Sequence, residues 1–330
     1  MTDINQTLER EEYFRRLLCA LWLRPETALW YAHEAFLARQ YLGALPGPSM
    51  EFGCFEGVPS FVMLGGEFNI QFDVYSEVAW DESSHIWKSH ADDYYNNAAS
   101  DPAGSVQADT VPSVGFDVGL SWKPAHLIKA ARLGIHKRLV DHDPAQPMTM
   151  FDTDSFETIW APNLYWLDDF SNVFRELRRI LRPGGTLVTP LPSSEARDLM
   201  IGRWADRADA EWIRDLDRGR FANVSRQARS LEEWHEFLEE AGFEIEKHDW
   251  FLPKLAFEVN DVGMRPMFPV FMRVYETLRE DKPDEWLEIK RHWIDTVFHF
   301  MAPLCKVDWM EANGIQNVWH MFQLTPKSAA

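Results

Sequence analysis

From residue 49 onward the chain alternates short apolar strand signals with helical stripes, and this rhythm restricts the fold more than any other feature. Strand signals fall at 50–53, 114–117, 138–142, 156–161, 186–189, 243–246 and 318–324. A helix opens at Pro124, carries Leu127, Ile128 and Ala131, and ends at Gly134. Another places Phe170, Val173, Phe174, Leu177, Ile180 and Leu181 on one stripe and stops at Pro183-Gly184-Gly185. Ser230 and Glu233 frame a capping box before Leu231, Trp234, Leu238 and Ala241, and Gly242 closes that helix. Strands alternating with helices predict an α/β fold whose mostly parallel sheet is covered on both faces. Such a sheet binds ligands at the carboxyl ends of its strands.

The rhythm divides the chain. Residues 1–48 form a helical N-terminal extension, in which Pro25 and Glu26 suit a first turn, Tyr31, Ala35, Ala38 and Leu42 share a stripe, and Gly43, Pro46, Gly47 and Pro48 stop the helix. Residues 49–252 form the core, and 318–330 supply its last strand. Two stretches break the alternation: 58–113, too long for one crossover helix, and 253–317, rich in Phe, Met, Trp and Pro. Loops of that length are unusual in a compact domain, so both are expected to be structured inserts forming a cap at the ligand-binding end.

With 46% hydrophobic residues, the 330-residue chain has material for a large buried core. Its 52 acidic and 33 basic residues leave a net charge of −19, which argues against nucleic acid or an anionic membrane surface as partner. The most apolar early segment, 17–42, is broken by Arg24, Pro25, Glu26, His33 and Glu34, and the acidic N-terminus has no secretory pattern. Cys19, Cys54 and Cys305 are too few and scattered for a disulfide framework or a zinc site. The expectation is a cytoplasmic protein acting on a small-molecule substrate, possible as a homo-oligomer. No metal site is expected, because His142 and Asp143 are adjacent on a strand and point to opposite faces.

The informative motif is Ser49-Met-Glu-Phe-Gly-Cys-Phe-Glu-Gly57: a strand, an acid, then glycines that let the backbone turn and a ligand approach. It lacks the G-x-G-x-x-G spacing that cradles a pyrophosphate, so dinucleotide binding is the weaker reading. Val114-Gly-Phe-Asp117 sets a carboxylate just after the second strand signal, Asp141-His-Asp143 ends the third, and 154–165 with 181–188 complete the pattern.

Over 49–190, and again over 230–248 and the last strand, the chain resembles class I S-adenosylmethionine-dependent methyltransferases. The resemblance implies a Rossmann-like seven-stranded sheet and S-adenosyl-L-methionine as cofactor. It implies that Glu51, Gly53, Cys54 and Gly57 line the methionine portion, that Asp117 holds the ribose, and that Val118, His142 and Asp143 surround the adenine. Ala161 to Asn163 would pass beneath the sulfonium. Phe55 departs from the family pattern, which has glycine there. Its ring must point away from the cofactor, or the loop must take another path.

Methyl transfer depends mainly on alignment, with a general base needed only for a nucleophile of high pKa. Asn163 and Tyr165, after the fourth strand, are expected to position substrate or pack the loop. His248 is the candidate base, or a structural histidine. Tyr31 and His33 are candidates for closing over the cofactor, against packing roles. Residues 93–96 (Asp93, Tyr94, Tyr95, Asn96) read as a polar-tipped lid or an anchor, and Asp261, Gly263 and Arg265 as a turn with an internal ion pair. The Trp and Phe content of the inserts hints at an apolar or ring-containing substrate. The leading expectation is methyl transfer to an oxygen or nitrogen of a small molecule, a glycan or secondary-metabolite intermediate. The alternatives are a degenerate binding or scaffold protein, which Phe55 favours, and a different reaction on the same cofactor fold.

Overall fold

The computed structural model describes residues 4–75, 107–162, 164–168, 170–217, 219–262 and 267–327. Seven strands form one sheet in the order β5-β4-β1-β6-β7-β9-β8. These are β1 Ser49–Phe52, β4 Phe116–Ser121, β5 His136–Asp141, β6 Phe156–Trp160, β7 Leu181–Pro192, β8 Phe243–Pro253 and β9 Asn317–Pro326. All pairings from β5 across to β7 are parallel, whereas β9 runs antiparallel to both its neighbours. This is the mostly parallel sheet expected from the alternation, and its seven strands and Rossmann-like order are those the resemblance implies. Central β1 is buried along its whole length, while edge strand β5 exposes Lys137 and Arg138, charges that discourage pairing with another chain.

Two apolar layers flank the sheet. One gathers Met50, Phe52, Ile159 and Leu187 under the helices Phe170–Ile180 and Leu231–Glu240. The other gathers Trp160, Val188 and Trp319 under α1 (Ile4–Ala20) and α2 (Pro25–Leu42). Helix α2 packs against α1, α3 (Val58–Met63) and the helix Lys254–Val262, so it is buried around almost its entire circumference. Such a helix is apolar over most of its surface, with Glu26, His33 and Glu34 among the buried exceptions, and the stripe of Tyr31, Ala35, Ala38 and Leu42 is only part of its buried surface.

The second strand lies further along than the sequence indicates. β4 starts at Phe116 and ends at Ser121, where 114–117 was expected. Gly119 interrupts the strand signal, since glycine weakens strands. In the fold its missing side chain is what admits the His136 ring, whose Cδ2 would lie 2.5 Å from any added Cβ. β7, β8 and β9 also run longer than their signals, because β8 and β9 pair with each other well beyond the apolar segments at 243–246 and 318–324.

The two inserts meet. The described part of the first contains α3, the antiparallel pair β2 (Glu67–Phe68) and β3 (Ala108–Thr110), and the loop 69–75. From the second, the helix Trp286–Met301 sends the buried Lys290 into that loop, where Nζ donates to Ile70 O (3.0 Å) and Phe72 O (2.6 Å). The same helix reaches α1, with Trp293 Nε1 donating to Trp22 O just beyond its end.

Candidate functional site

The sheet reverses its winding between β1 and β6, and the carboxyl ends of these strands open on a cleft. This is the crevice where sheets of this kind hold ligands. Its walls are Tyr31, Glu34 and Ala35 from α2, Glu51 from β1, Cys54 to Glu56 from the following loop, Pro59, Ser60 and Met63 from α3, and Trp160 and Pro162 from the end of β6.

The loop after β1 has the conformation its glycines predict. Gly53 (φ +80°) and Gly57 (φ +78°) are left-handed, and the amides of Gly53 and Cys54 donate to Leu120 O at 2.8 and 2.9 Å. Phe55 is itself left-handed, at φ +46°, so the backbone follows a path open to glycine while carrying a phenyl ring. That ring turns toward β4, meeting Trp122 edge-on at 5.6 Å and His126 at 5.0 Å between centroids. It therefore lies beside the carboxyl end of β4.

Glu51 is sealed in, at 2% exposure, and both its oxygens are engaged. Ser60 Oγ donates to Oε1, and His136 Nε2 lies 2.7 Å from Oε2. Opposite stands Glu34, 5% exposed, whose Oε2 accepts from Trp30 Nε1 at 3.3 Å. Desolvation, reinforced by the nearby Glu51 charge, pushes the Glu34 carboxyl up to about 8, against the pull of the Trp30 bond. Burial also raises Glu56, and it raises the Cys54 thiol well above its ordinary value, so Cys54 is an inert wall. Three acids in one enclosed cleft suit a cationic ligand.

The expected site residues divide into several groups. Glu51 and Cys54 line the cleft, with Gly53 and Gly57 shaping the loop between them. Ala161 follows directly, its N–H donating to Val188 O and its carbonyl accepting from Thr189 Oγ1. His142 and Asp143 sit at the carboxyl end of β5, where His142 N donates to Ser121 O and Asp143 Oδ1 accepts from Ala145 N. Tyr165 is half-buried with its ring 5.6 Å from Trp319, and Asn163 lies outside the described residues.

Two expected positions are corrected. Asp117 stands at the amino end of β4, opposite the end where ligands bind, and there accepts from Ser49 N (2.7 Å), Ser49 Oγ and Lys137 Nζ (2.7 Å). Val118 follows inside the sheet, paired with Met50 and Arg138. Both shifts follow from the later start of β4, which leaves buried Ser121 and then Trp122 at its carboxyl end.

The candidate base is also displaced. His248 stands on β8 at the level of Thr189, separated from β6 by β7 and β9. Three strand spacings amount to about 14 Å, beyond the reach of a side chain. Its Nε2 instead lies 2.9 Å from His320 Nδ1. Tyr31 lines the cleft, whereas His33 on the same helix is buried away from it, at 2% exposure. Asp261 pairs with Arg220 at 3.7 Å and accepts from Ile201 N, and Gly263, Arg265 and 93–96 lie outside the described residues. Glu34, Ser60, His136 and Trp160 were not singled out from the sequence. Only Glu34 had a usable signal there, three residues after Tyr31 and therefore on the same helical face.

Residues 118–189 match the family described as "Methyltransferase domain". The 27-O-demethylrifamycin SV methyltransferase of Amycolatopsis mediterranei (strain S699) is 32% identical over 131 residues, which span 38% of this chain and 40% of that protein. Similar solved structures include geranyl diphosphate C-methyltransferase from Streptomyces coelicolor A3(2), at 11% identity, TM-score 0.39, and 89% and 76% coverage. Another is phospholethanolamine N-methyltransferase 2 of Haemonchus contortus, at 13% identity, TM-score 0.41, and 98% and 60% coverage. No helix among the described residues is long and apolar enough to cross a membrane. The matched methyltransferase domain runs from within β4 to β7, in the half of the sheet that borders the cleft, and the chain spans about two fifths of the length of the curated relative it matches.

Proposed function

We propose that this protein binds S-adenosyl-L-methionine and transfers its methyl group to an oxygen or nitrogen of a small molecule, a glycan or secondary-metabolite intermediate. The observation that carries the proposal is the acidic cleft at the carboxyl ends of β1 and β6, lined by Glu34, Glu51 and Glu56. Its charge complements the ammonium and sulfonium of the cofactor, and the turned-out Phe55 ring leaves the loop backbone free to approach a ligand. The name of the Amycolatopsis relative supports a secondary-metabolite substrate.

When bound, the cofactor supplies an electrophilic methyl carbon. The protein's part is to hold and align. Glu51 is fixed by Ser60 and His136, so its charge is preorganised against the cleft. Trp160 and Pro162 line the cleft at the end of β6, and Tyr165 follows in the chain with its ring against Trp319. His142 and Asp143 are positioned for the adenine end. None of the described side chains at this end of the sheet needs to act as a base if the nucleophile is already deprotonated.

A second reading, cofactor-fold binding without transfer, draws on one observation. Buried Ser121 and the Trp122–Phe55 pair stand where the resemblance requires a ribose-binding acid. Calorimetric titration separates the readings. Roughly micromolar binding of S-adenosylmethionine, about −8 kcal/mol, with methyl transfer to added oxygen or nitrogen nucleophiles, is expected for the enzyme. Binding with no transfer to any of them supports the second reading, and no heat with S-adenosylmethionine or S-adenosylhomocysteine rejects both.

A further inference from the structure

We infer that Glu34 distinguishes the charged cofactor from its neutral product: its carboxyl, facing Glu51 across the cleft, gives up a proton to solvent as a cation enters and takes it back as the uncharged thioether leaves. The inference rests on the function proposed above and concerns one wall of that site, contributed by the N-terminal helical extension rather than by the sheet.

The geometry carries it. Glu34 projects from α2 into the cleft and is nine-tenths buried. Trp30 Nε1 reaches Oε2, and among the described residues no hydrogen bond reaches the other oxygen. Glu51 cannot serve in the same way, since Ser60 and His136 already occupy both of its oxygens. Glu34 thus holds the open acceptor in an enclosed site. A carboxylate with no counter-charge is costly in such surroundings, and a carboxyl beside a fixed positive charge is not.

The neighbours of Glu34 oppose one another, and burial decides between them. On its own helix, Glu34 is flanked by Tyr31 and by Trp30, whose N–H favours the ionised form but is outweighed by burial. Across the cleft, Glu51 opposes ionisation, with His136 standing behind it on the far side. From the loop, Glu56 adds a third acid, itself raised by burial against the opposing pull of the Lys129 and Arg24 charges. Ser60, Met63, Trp160 and Pro162 complete the wall without charge. The empty cleft therefore favours a neutral Glu34, in line with a carboxyl pushed up to about 8.

Reactant and product differ by one charge at sulfur, and both carry the ammonium and carboxylate of the amino-acid end. A carboxylate that meets the sulfur favours the reactant alone, whereas one that meets the ammonium favours both alike. The chemical step leaves a neutral sulfur, and reprotonation of Glu34 removes any penalty for holding it, which favours product release.

The test is calorimetry of the full chain at pH 7 in two buffers of different ionisation enthalpy, with S-adenosylmethionine and S-adenosylhomocysteine as ligands. Binding of S-adenosylmethionine should release close to one proton more from the parent than from Glu34→Gln, and S-adenosylhomocysteine should show little such difference. The same variant should narrow the ratio of the two dissociation constants about tenfold, mainly by weakening S-adenosylmethionine. Glu34→Asp, with the charge drawn back by one methylene, should fall between them and guards against a folding defect in the amide variant. Equal proton release with both ligands assigns Glu34 to the ammonium and overturns the inference. Parent-like behaviour of both variants overturns it as well, while leaving the proposed function intact. If neither ligand binds the parent, the proposed function fails and the inference fails with it.

Discussion

His136 Nε2 lies 2.7 Å from Glu51 Oε2, and neither side chain is accessible beyond 2%. The pair joins the amino end of edge strand β5 to the penultimate residue of central strand β1, across β4, and Gly119 on β4 is what allows the ring to pass. Breaking a buried pair by removing one partner leaves an uncompensated charge, typically at a cost of about 3–5 kcal/mol. His136→Leu should therefore lower the urea unfolding free energy by about 3 kcal/mol or more. His136→Leu with Glu51→Gln should recover part of that loss, since the amide can be buried at lower cost. A double variant no more stable than His136→Leu alone counts against the pair.

Asp117 should matter for folding and not for the cofactor. Lys137 and the Ser49 amide hold its carboxyl below the usual range. A depressed folded-state pKa contributes stability that is present above the unfolded value, near 3.9, and is lost as the pH falls toward the folded one. Asp117→Asn should cost about 1 kcal/mol at pH 7, where the side chain is 30% exposed, and the deficit should shrink below about pH 4. S-adenosylmethionine affinity should change less than twofold. A tenfold loss of affinity would return Asp117 to the ribose.

Gly57 should act through packing. A Cβ there would approach Leu133 Cδ1 to 3.1 Å, with His136 and Ala130 behind it, on the side facing the helix Pro124–Leu133. Gly134 is also left-handed (φ +66°) but has open space around it. Gly134→Ala therefore measures the backbone cost alone, about 1–2 kcal/mol. Gly57→Ala should cost more than that, and Gly57→Val more again, seen as a lower unfolding midpoint. Equal losses at the two glycines would show that Leu133 yields freely.

Acid should unfold this protein partly through two buried histidines. Burial holds His33 and His320 at about 3, with Arg10 acting against protonation of the first and His248 against that of the second. Their folded-state values are depressed, so between about pH 6.5 and 3 the unfolded chain binds more protons and each histidine costs up to about 1.4 kcal/mol per pH unit as the pH falls. His320→Asn should flatten this slope between pH 6 and 4, measured by chemical denaturation at each pH. An unchanged slope in both His320→Asn and His33→Gln would mean that these rings are protonated in the native state.

Much of the fold was legible in the chain. Apolar stripes at helical spacing, the Ser230–Glu233 capping box and the glycine stops mark their helices, because local propensity and periodicity act over a few neighbouring residues. The loop at Gly53–Gly57 was legible for the same reason: a left-handed turn after a strand demands those residue types. Tertiary structure decided the rest. Whether Asp117 or Ser121 ends β4 depends on register against β1 and β5, and on a histidine ring from another strand that needs a glycine opposite it. That His248 is three strands from the cleft, and that Glu34 faces Glu51 across it, follows from which elements the sheet order and the burial of α2 bring together. Those distances are set by contacts between residues far apart in the chain, and local pattern carries no record of them.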